Sequence, residues 1–197
     1  MKTIILLVLV LFAPALHAEP LNYDYLYFSS NDTESDSGQD TGGEAFGGFW
    51  EFADTLHLFG SYDDAGSYTG TGANPLWQYD TRTLRAGIGG HYLLGTRVML
   101  APSIAVLHAR REINASDWNG LRKYTDTGYG MQLDLRYAVA NWLELTAGSR
   151  TSRIFGENET DLVGGIIFHP THWLALGAIY HDSDSQSGAE LTVRWYY

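Results

Sequence analysis

Residues 189–197 read Ala189-Glu190-Leu191-Thr192-Val193-Arg194-Trp195-Tyr196-Tyr197. Successive side chains of an extended chain point to opposite faces. Ala189, Leu191, Val193, Trp195 and Tyr197 therefore share one face, while Glu190, Thr192, Arg194 and Tyr196 share the other. The first face is apolar and ends in aromatics. The second carries charges of both signs, so the segment reads as a strand between two different environments.

The same period recurs upstream. Tyr129, Met131, Leu133, Leu135 and Tyr137 alternate with Gly130, Gln132, Asp134 and Arg136. Leu143, Leu145 and Ala147 alternate with Glu144, Thr146 and Gly148. Val98, Leu100, Pro102, Ile104 and Val106 face away from Met99, Ala101, Ser103 and Ala105. Alternation alone fits a soluble sandwich as well as a barrel.

Two kinds of punctuation separate these runs. Long polar stretches lie near residues 29–43, 64–77 and 110–127, and shorter ones near 155–160 and 182–188. Between them are tight turns at Ala53-Asp54-Thr55, Leu94-Gly95-Thr96, Val139-Ala140-Asn141 and Pro170-Thr171-His172. Each tight turn joins two runs of strand length. With a first strand at Leu21–Phe28 and a last at Ala189–Tyr197, the count is about ten, eight being the alternative. Trp50, Phe52, Tyr92, Tyr137, Trp142, Phe168, Trp173, Trp195 and Tyr197 gather beside the tight turns or the C-terminus. A ring of such side chains at one end suits a membrane interface, where one edge of the ring is apolar and the other hydrogen-bonds.

The N-terminus adds a compartment. Met1-Lys2, the apolar run Ile4–Phe12 and the small residues ending at Ala18 have the layout of a secretory signal peptide, with cleavage expected after Ala18. The run is too short to span a bilayer, and nothing after it approaches a transmembrane helix. Cysteine is absent, so no disulfide braces the exported chain. A closed hydrogen-bonded barrel supplies stability without one. The chain holds 22 Gly and 13 Tyr against 12 Lys plus Arg, with a formal net charge of -11. That balance, with no basic cluster in the sequence, argues against nucleic acid as a partner.

Signal, alternating connections, aromatic ring and C-terminal Trp195-Tyr196-Tyr197 together resemble the small bacterial outer-membrane β-barrel proteins. The resemblance covers the whole mature chain. It implies an all-β fold, a closed antiparallel up-and-down transmembrane barrel over residues 19–197 that follows the signal peptide of residues 1–18. Leu191, Val193, Trp195 and Tyr197 resemble the C-terminal signal read by the barrel-assembly machinery, and outer-membrane lipid with lipopolysaccharide would surround the wall. Short turns would face the periplasm and long loops the exterior.

Candidate sites follow from the inward parity. Glu51, Arg85, Asp134, Arg136, Glu144, Arg150 and Arg194 would meet across the lumen as a polar network, either filling it or lining a narrow pore. The loops are acidic, and Asp32-x-Glu34-x-Asp36 spaces carboxylates as calcium loops do, without the glycine or the bidentate glutamate that such loops require. A polar, solvated loop is the plainer reading. His181, Ser183 and Glu190 share the inward face, a set capable of acyl hydrolysis. It resembles the His-x-Ser site of outer-membrane lipid A deacylases, although Asp184 stands where that family places Asn and Glu190 comes too early. His169 and His172 straddle a turn and read as a surface pair. No cofactor motif is present, and the favoured role is a non-enzymatic one at the surface.

Overall fold

The computed structural model describes residues 21–35, 40–68, 77–115, 122–184 and 186–197. The expected signal peptide (1–18) and Asp36 lie outside them. Alternating side chains and short turns give β1 (Tyr25–Ser35), β2 (Asp40–Ala53), β3 (Leu56–Tyr68), β4 (Trp77–Gly90), β5 (Tyr92–Leu93) and β6 (Val98–Ala115). They continue with β7 (Arg122–Ala140), β8 (Leu143–Ile154), β9 (Glu157–Phe168), β10 (Leu174–Ser183) and β11 (Gln186–Tyr196). β4 and β5 are one stave interrupted at His91, since both follow β6 in one register, from Trp77↔Ala115 through Gly89↔Ser103 to Tyr92↔Leu100. The wall therefore has ten staves, all antiparallel.

The sheet closes on itself. β1 pairs with β11 from Tyr25↔Tyr196 to Ser35↔Gln186, and β4 pairs with β6. Closure leaves no strand edge and pairs the backbone within the wall, which a membrane-spanning sheet requires.

The strands run further than the apolar alternation suggests. β6 and β7 hold 18 and 19 residues and take in most of the polar stretch at 110–127. The polar stretch at 155–160 shrinks to a two-residue turn at Phe155-Gly156, both with positive φ (55° and 79°). Such a turn matches the twist of a tight hairpin. The first strand starts at Tyr25 rather than Leu21, and Leu21–Asp24 precedes it at the turn end of the barrel.

Outward positions form an apolar belt. Leu133, Met131, Ile104, Val106, Leu84, Leu162, Ile166 and Leu191 are all exposed. Along β6 the belt runs from Leu100 to Val106 before polar His108, and along β7 from Tyr137 to Tyr129 before Thr127. Seven to nine residues at strand rise and barrel tilt make a band about 20 Å tall. Trp50, Phe52, Tyr92, Tyr137, Trp142, Trp173, Trp195 and Tyr197 rim its turn end, exposed. Phe168 is only partly exposed and packs edge-on against Trp142.

Candidate functional site

The interior has two levels. The turn end is filled. Tyr23, brought in by Leu21–Asp24, is 3% exposed. Its ring stacks on His57 at 4.3 Å and on His91 at 5.1 Å, and meets Phe49 edge-on at 5.5 Å. Glycine makes room for this stack: a Cβ on Gly89 would lie 2.4 Å from His57 Nε2. Met99 and Ala101 pack beside Tyr23, while Ile167, Ala175, Tyr25 and Tyr196 close the other side.

A buried ion pair crosses this floor. Arg136 Nε and Nη2 donate to the two oxygens of Glu144 at 2.6 and 2.8 Å, and both side chains are almost wholly buried. A bidentate pair satisfies both partners, which burial makes necessary. Arg136 Nη1 also donates to the Asn22 carbonyl and its guanidinium lies over the Tyr23 ring, so the pair holds the N-terminal segment in place. His169 Nε2 lies 3.5 Å from Glu144. The surface pairing expected of His169 and His172 is thus corrected: His169 is 1% exposed and only His172 faces out. The reason is that the turn after β9 buries the His169 ring beside Glu144, while His172 is left on the outside.

Beyond the floor the lumen opens into a polar cavity of ≈ 240 Å³. Asp63, Asp134, Asp161 and Glu190 line it opposite Arg85 and Arg150, whose Nε atoms are buried without a hydrogen-bond partner. The seven charges expected to meet therefore divide by height. Arg136 and Glu144 make the floor, with Arg194 over the Tyr25 ring at 5.0 Å and Glu51 3.5 Å from His91 Nε2. Asp134 accepts a hydrogen bond from Gln132 and joins Arg85 and Arg150 in the cavity wall. Tyr23, His57 and His91, the centre of the floor, carry no sequence signal beyond aromatic parity.

His181 and Glu190 are paired at 2.8 Å in the cavity wall. Ser183 is not bonded to that pair: its hydroxyl donates to the Gln186 carbonyl at 3.0 Å and accepts the Gln186 N–H at 3.2 Å. All three face the lumen. Leu191, Val193, Trp195 and Tyr197 lie on the outer face of the seam, while Thr192 and Tyr196 are buried inside.

The outer wall above the belt is divided by charge, which the linear sequence does not display. Of the 12 Lys and Arg, Arg85, Arg136, Arg150 and Arg194 point inward, Arg97 sits in a turn-end bend, and Lys2 is outside the described residues. The remaining six all lie at the loop ends of β4, β6, β7 and β8. Arg82, Arg110, Lys123 and Arg153 occupy the outward face there. Arg82 stands directly opposite Arg110, and Glu112 opposite Lys123. Arg110 and Lys123 share one oxygen of Glu112, at 2.5 and 3.2 Å, and Arg82 reaches Asp64 at 3.3 Å. Hydrogen bonds from Lys123 first, and then Arg110, hold the Glu112 carboxyl below the usual range. Around the rest of the rim, among the described residues, Asp32, Glu34, Glu44 and Asp182 are the exposed charges on the strand ends of β1, β2 and β10.

No family model matches the chain, and no curated protein matches it in sequence. Solved structures match its fold. It is similar to Neisserial surface protein A (NspA), with 12% identity over 89% of this chain and 98% of the other and a TM-score of 0.51. It is also similar to the translocator domain of autotransporter NalP from Neisseria meningitidis, with 8% identity over 91% and 90% and a TM-score of 0.54. The transport unit of the autotransporter AIDA-I from Escherichia coli matches with 11% identity over 98% and 97% and a TM-score of 0.54. The chain thus has the fold of small outer-membrane β-barrel proteins.

Proposed function

We propose that the chain is an outer-membrane barrel that works as a closed, non-conducting surface protein. Its short turns face the periplasm, and its loop-end rim and blind polar cavity face the exterior. Embedding follows from the wall, since an exposed belt this large and continuous is insoluble in water and suited to lipid. The observation that carries the closed reading is the filled floor, in which Tyr23, His57, His91 and the Arg136–Glu144 pair occupy the turn end of the lumen. A narrow pore would need a water-lined path there. The rim is then the part left to act, and the shared fold of a Neisserial surface protein accords with that.

The acyl-hydrolase alternative gains the His181–Glu190 pair but lacks a ready nucleophile. The Ser183 proton is directed at Gln186. We read the pair as part of the cavity wall.

The test is paired. Protein from isolated outer membranes should migrate differently before and after boiling, because the closed ladder resists detergent until heated. The same material should stay silent in a planar bilayer. Recovery in the periplasmic fraction without a mobility shift would overturn embedding, and steady single-channel steps from the unaltered chain would overturn closure.

A further inference from the structure

Cations are scarce in this chain, and where they stand is informative. Four of them, Arg82, Arg110, Lys123 and Arg153, share one outward-facing flank across β4, β6, β7 and β8. They sit directly above the apolar belt: His108 and Arg110 follow Val106 on β6, Arg82 follows Leu84 on β4, and Thr127, Thr125 and Lys123 follow Tyr129 on β7. Three carboxylates, Asp64, Asp80 and Glu112, lie among these four cations, and Arg82 and Arg110 are direct cross-strand neighbours. Like charges so placed repel. The flank is therefore short of negative charge within a chain whose net charge is -11. An outside anion at this height would relieve the repulsion.

We propose that this flank holds the phosphates of phosphorylated lipid headgroups in the outer leaflet. The proposal rests on the membrane reading above and names the partner of the rim. In that setting the upper edge of the belt is the headgroup plane, where basic side chains bind anionic lipid. Arg110 offers planar paired donors to a phosphate and Lys123 a mobile point charge. His108, bonded to Thr127 at 3.1 Å, adds polar contacts at the lower margin. Glu112 sets the occupancy, since it engages both Arg110 and Lys123 and so competes with phosphate for them. The acidic sector formed by Asp32, Glu34, Glu44 and Asp182 repels the same headgroups, so phosphorylated lipid gathers on one side of the barrel. A second copy of the chain suits the flank less well. Its acidic sector meeting this one would be a heterologous contact, which closes only through a full ring of copies.

The experiment uses protein purified from outer membranes, exchanged into detergent and returned to phosphatidylcholine nanodiscs with trace lipid A. Lipid retained per barrel is measured for bis-phosphorylated lipid A and for lipid A stripped of phosphate. Retention of the phosphorylated form should exceed that of the stripped form by about fivefold or more. Combining Arg110→Gln, Lys123→Gln and Arg153→Gln should remove that preference, Glu112→Gln should raise it, and Arg97→Gln at the opposite end should leave it unchanged. Inorganic phosphate at matched ionic strength should not displace the lipid. Equal retention of both lipids, an unaffected triple variant, or an equal loss in Arg97→Gln would each overturn the proposal. Displacement by inorganic phosphate would reassign the flank to free anions. A change of oligomeric size in the triple variant, with lipid preference intact, would reassign it to a second copy. The boiling-dependent shift shows that each variant is folded, and a wild-type chain that fails to enter nanodiscs at all would instead sink the membrane reading.

Discussion

Arg136 and Glu144 show how much one contact carries. Their side chains are 4% and 0% exposed, so neither charge has water to fall back on. Removing one partner leaves the other buried and unpaired, at about 3–5 kcal/mol, whereas replacing both with apolar groups of similar volume costs far less. Glu144→Gln or Arg136→Met should therefore lower the urea midpoint markedly, and Arg136→Met with Glu144→Leu should recover much of the loss. Gel mobility of unboiled samples across a urea series measures it; equal midpoints in single and double variants would mean that the pair is not coupled. Both residues were legible as inward charges from parity alone. Their pairing was not, because the β7–β8 register shifts between Ala138 and Ala140, and in the ladder Arg136 stands opposite Thr146 and Glu144 opposite Ala138. Tyr23 was less legible still. Alternation places it within a first strand from Leu21, whereas β1 starts at Tyr25 and the preceding segment buries the Tyr23 ring in the floor.

At the scale of the strand, β7 presents two kinds of outward face. Its outward residues Tyr137, Leu135, Leu133, Met131 and Tyr129 lie in the belt, and Thr127, Thr125 and Lys123 lie above it. Alternation marks only the lower half, and the upper half reads as loop. The cause is physical. Backbone pairing continues from Tyr129↔Val106 to Arg122↔Ile113, yet once both faces meet water no apolar alternation marks the strand. The same blindness hid the cationic flank: its members are far apart in sequence, and only the β4–β6–β7–β8 order joins them. A paired substitution separates the two environments. Leu133→Arg, at mid-belt, should destabilise the barrel by about 2–4 kcal/mol in a bilayer. Thr125→Arg, on the same face of the same strand and directly opposite Arg110, should cost only the ~0.2–1 kcal/mol of a like-charge cross-strand pair. Folding into vesicles titrated with urea measures both, and similar midpoints for the two would mean that the belt is not in lipid.

For the whole molecule, the proposed closed state raises the question of what would stop the lumen from conducting. A wall of ten staves is only slightly wider than the eight-stranded case whose interior side chains just fill. Small residues on the inner wall, Ala101, Ala109, Ala175 and Gly89 among them, leave space that the staves alone do not fill. The Tyr23 ring fills it, wedged between His57, His91 and Phe49 and anchored through Asn22 to Arg136. This floor is a separable part, because wall closure rests on backbone pairs that do not involve Tyr23. Tyr23→Ala with Phe49→Ala should therefore keep the boiling-dependent shift and gain small, steady conductance in planar bilayers, against silence from the unaltered chain. Adding Arg136→Met and Glu144→Leu should enlarge the steps, since the ion pair is the next rung across the bore. Silence from both variants, with the shift retained, would place the seal elsewhere in the lumen. Loss of the shift would instead make the floor a structural requirement of the wall. In the expected case, the base of this barrel is a stopper set into an otherwise complete tube, and the cavity above it opens only to the outside.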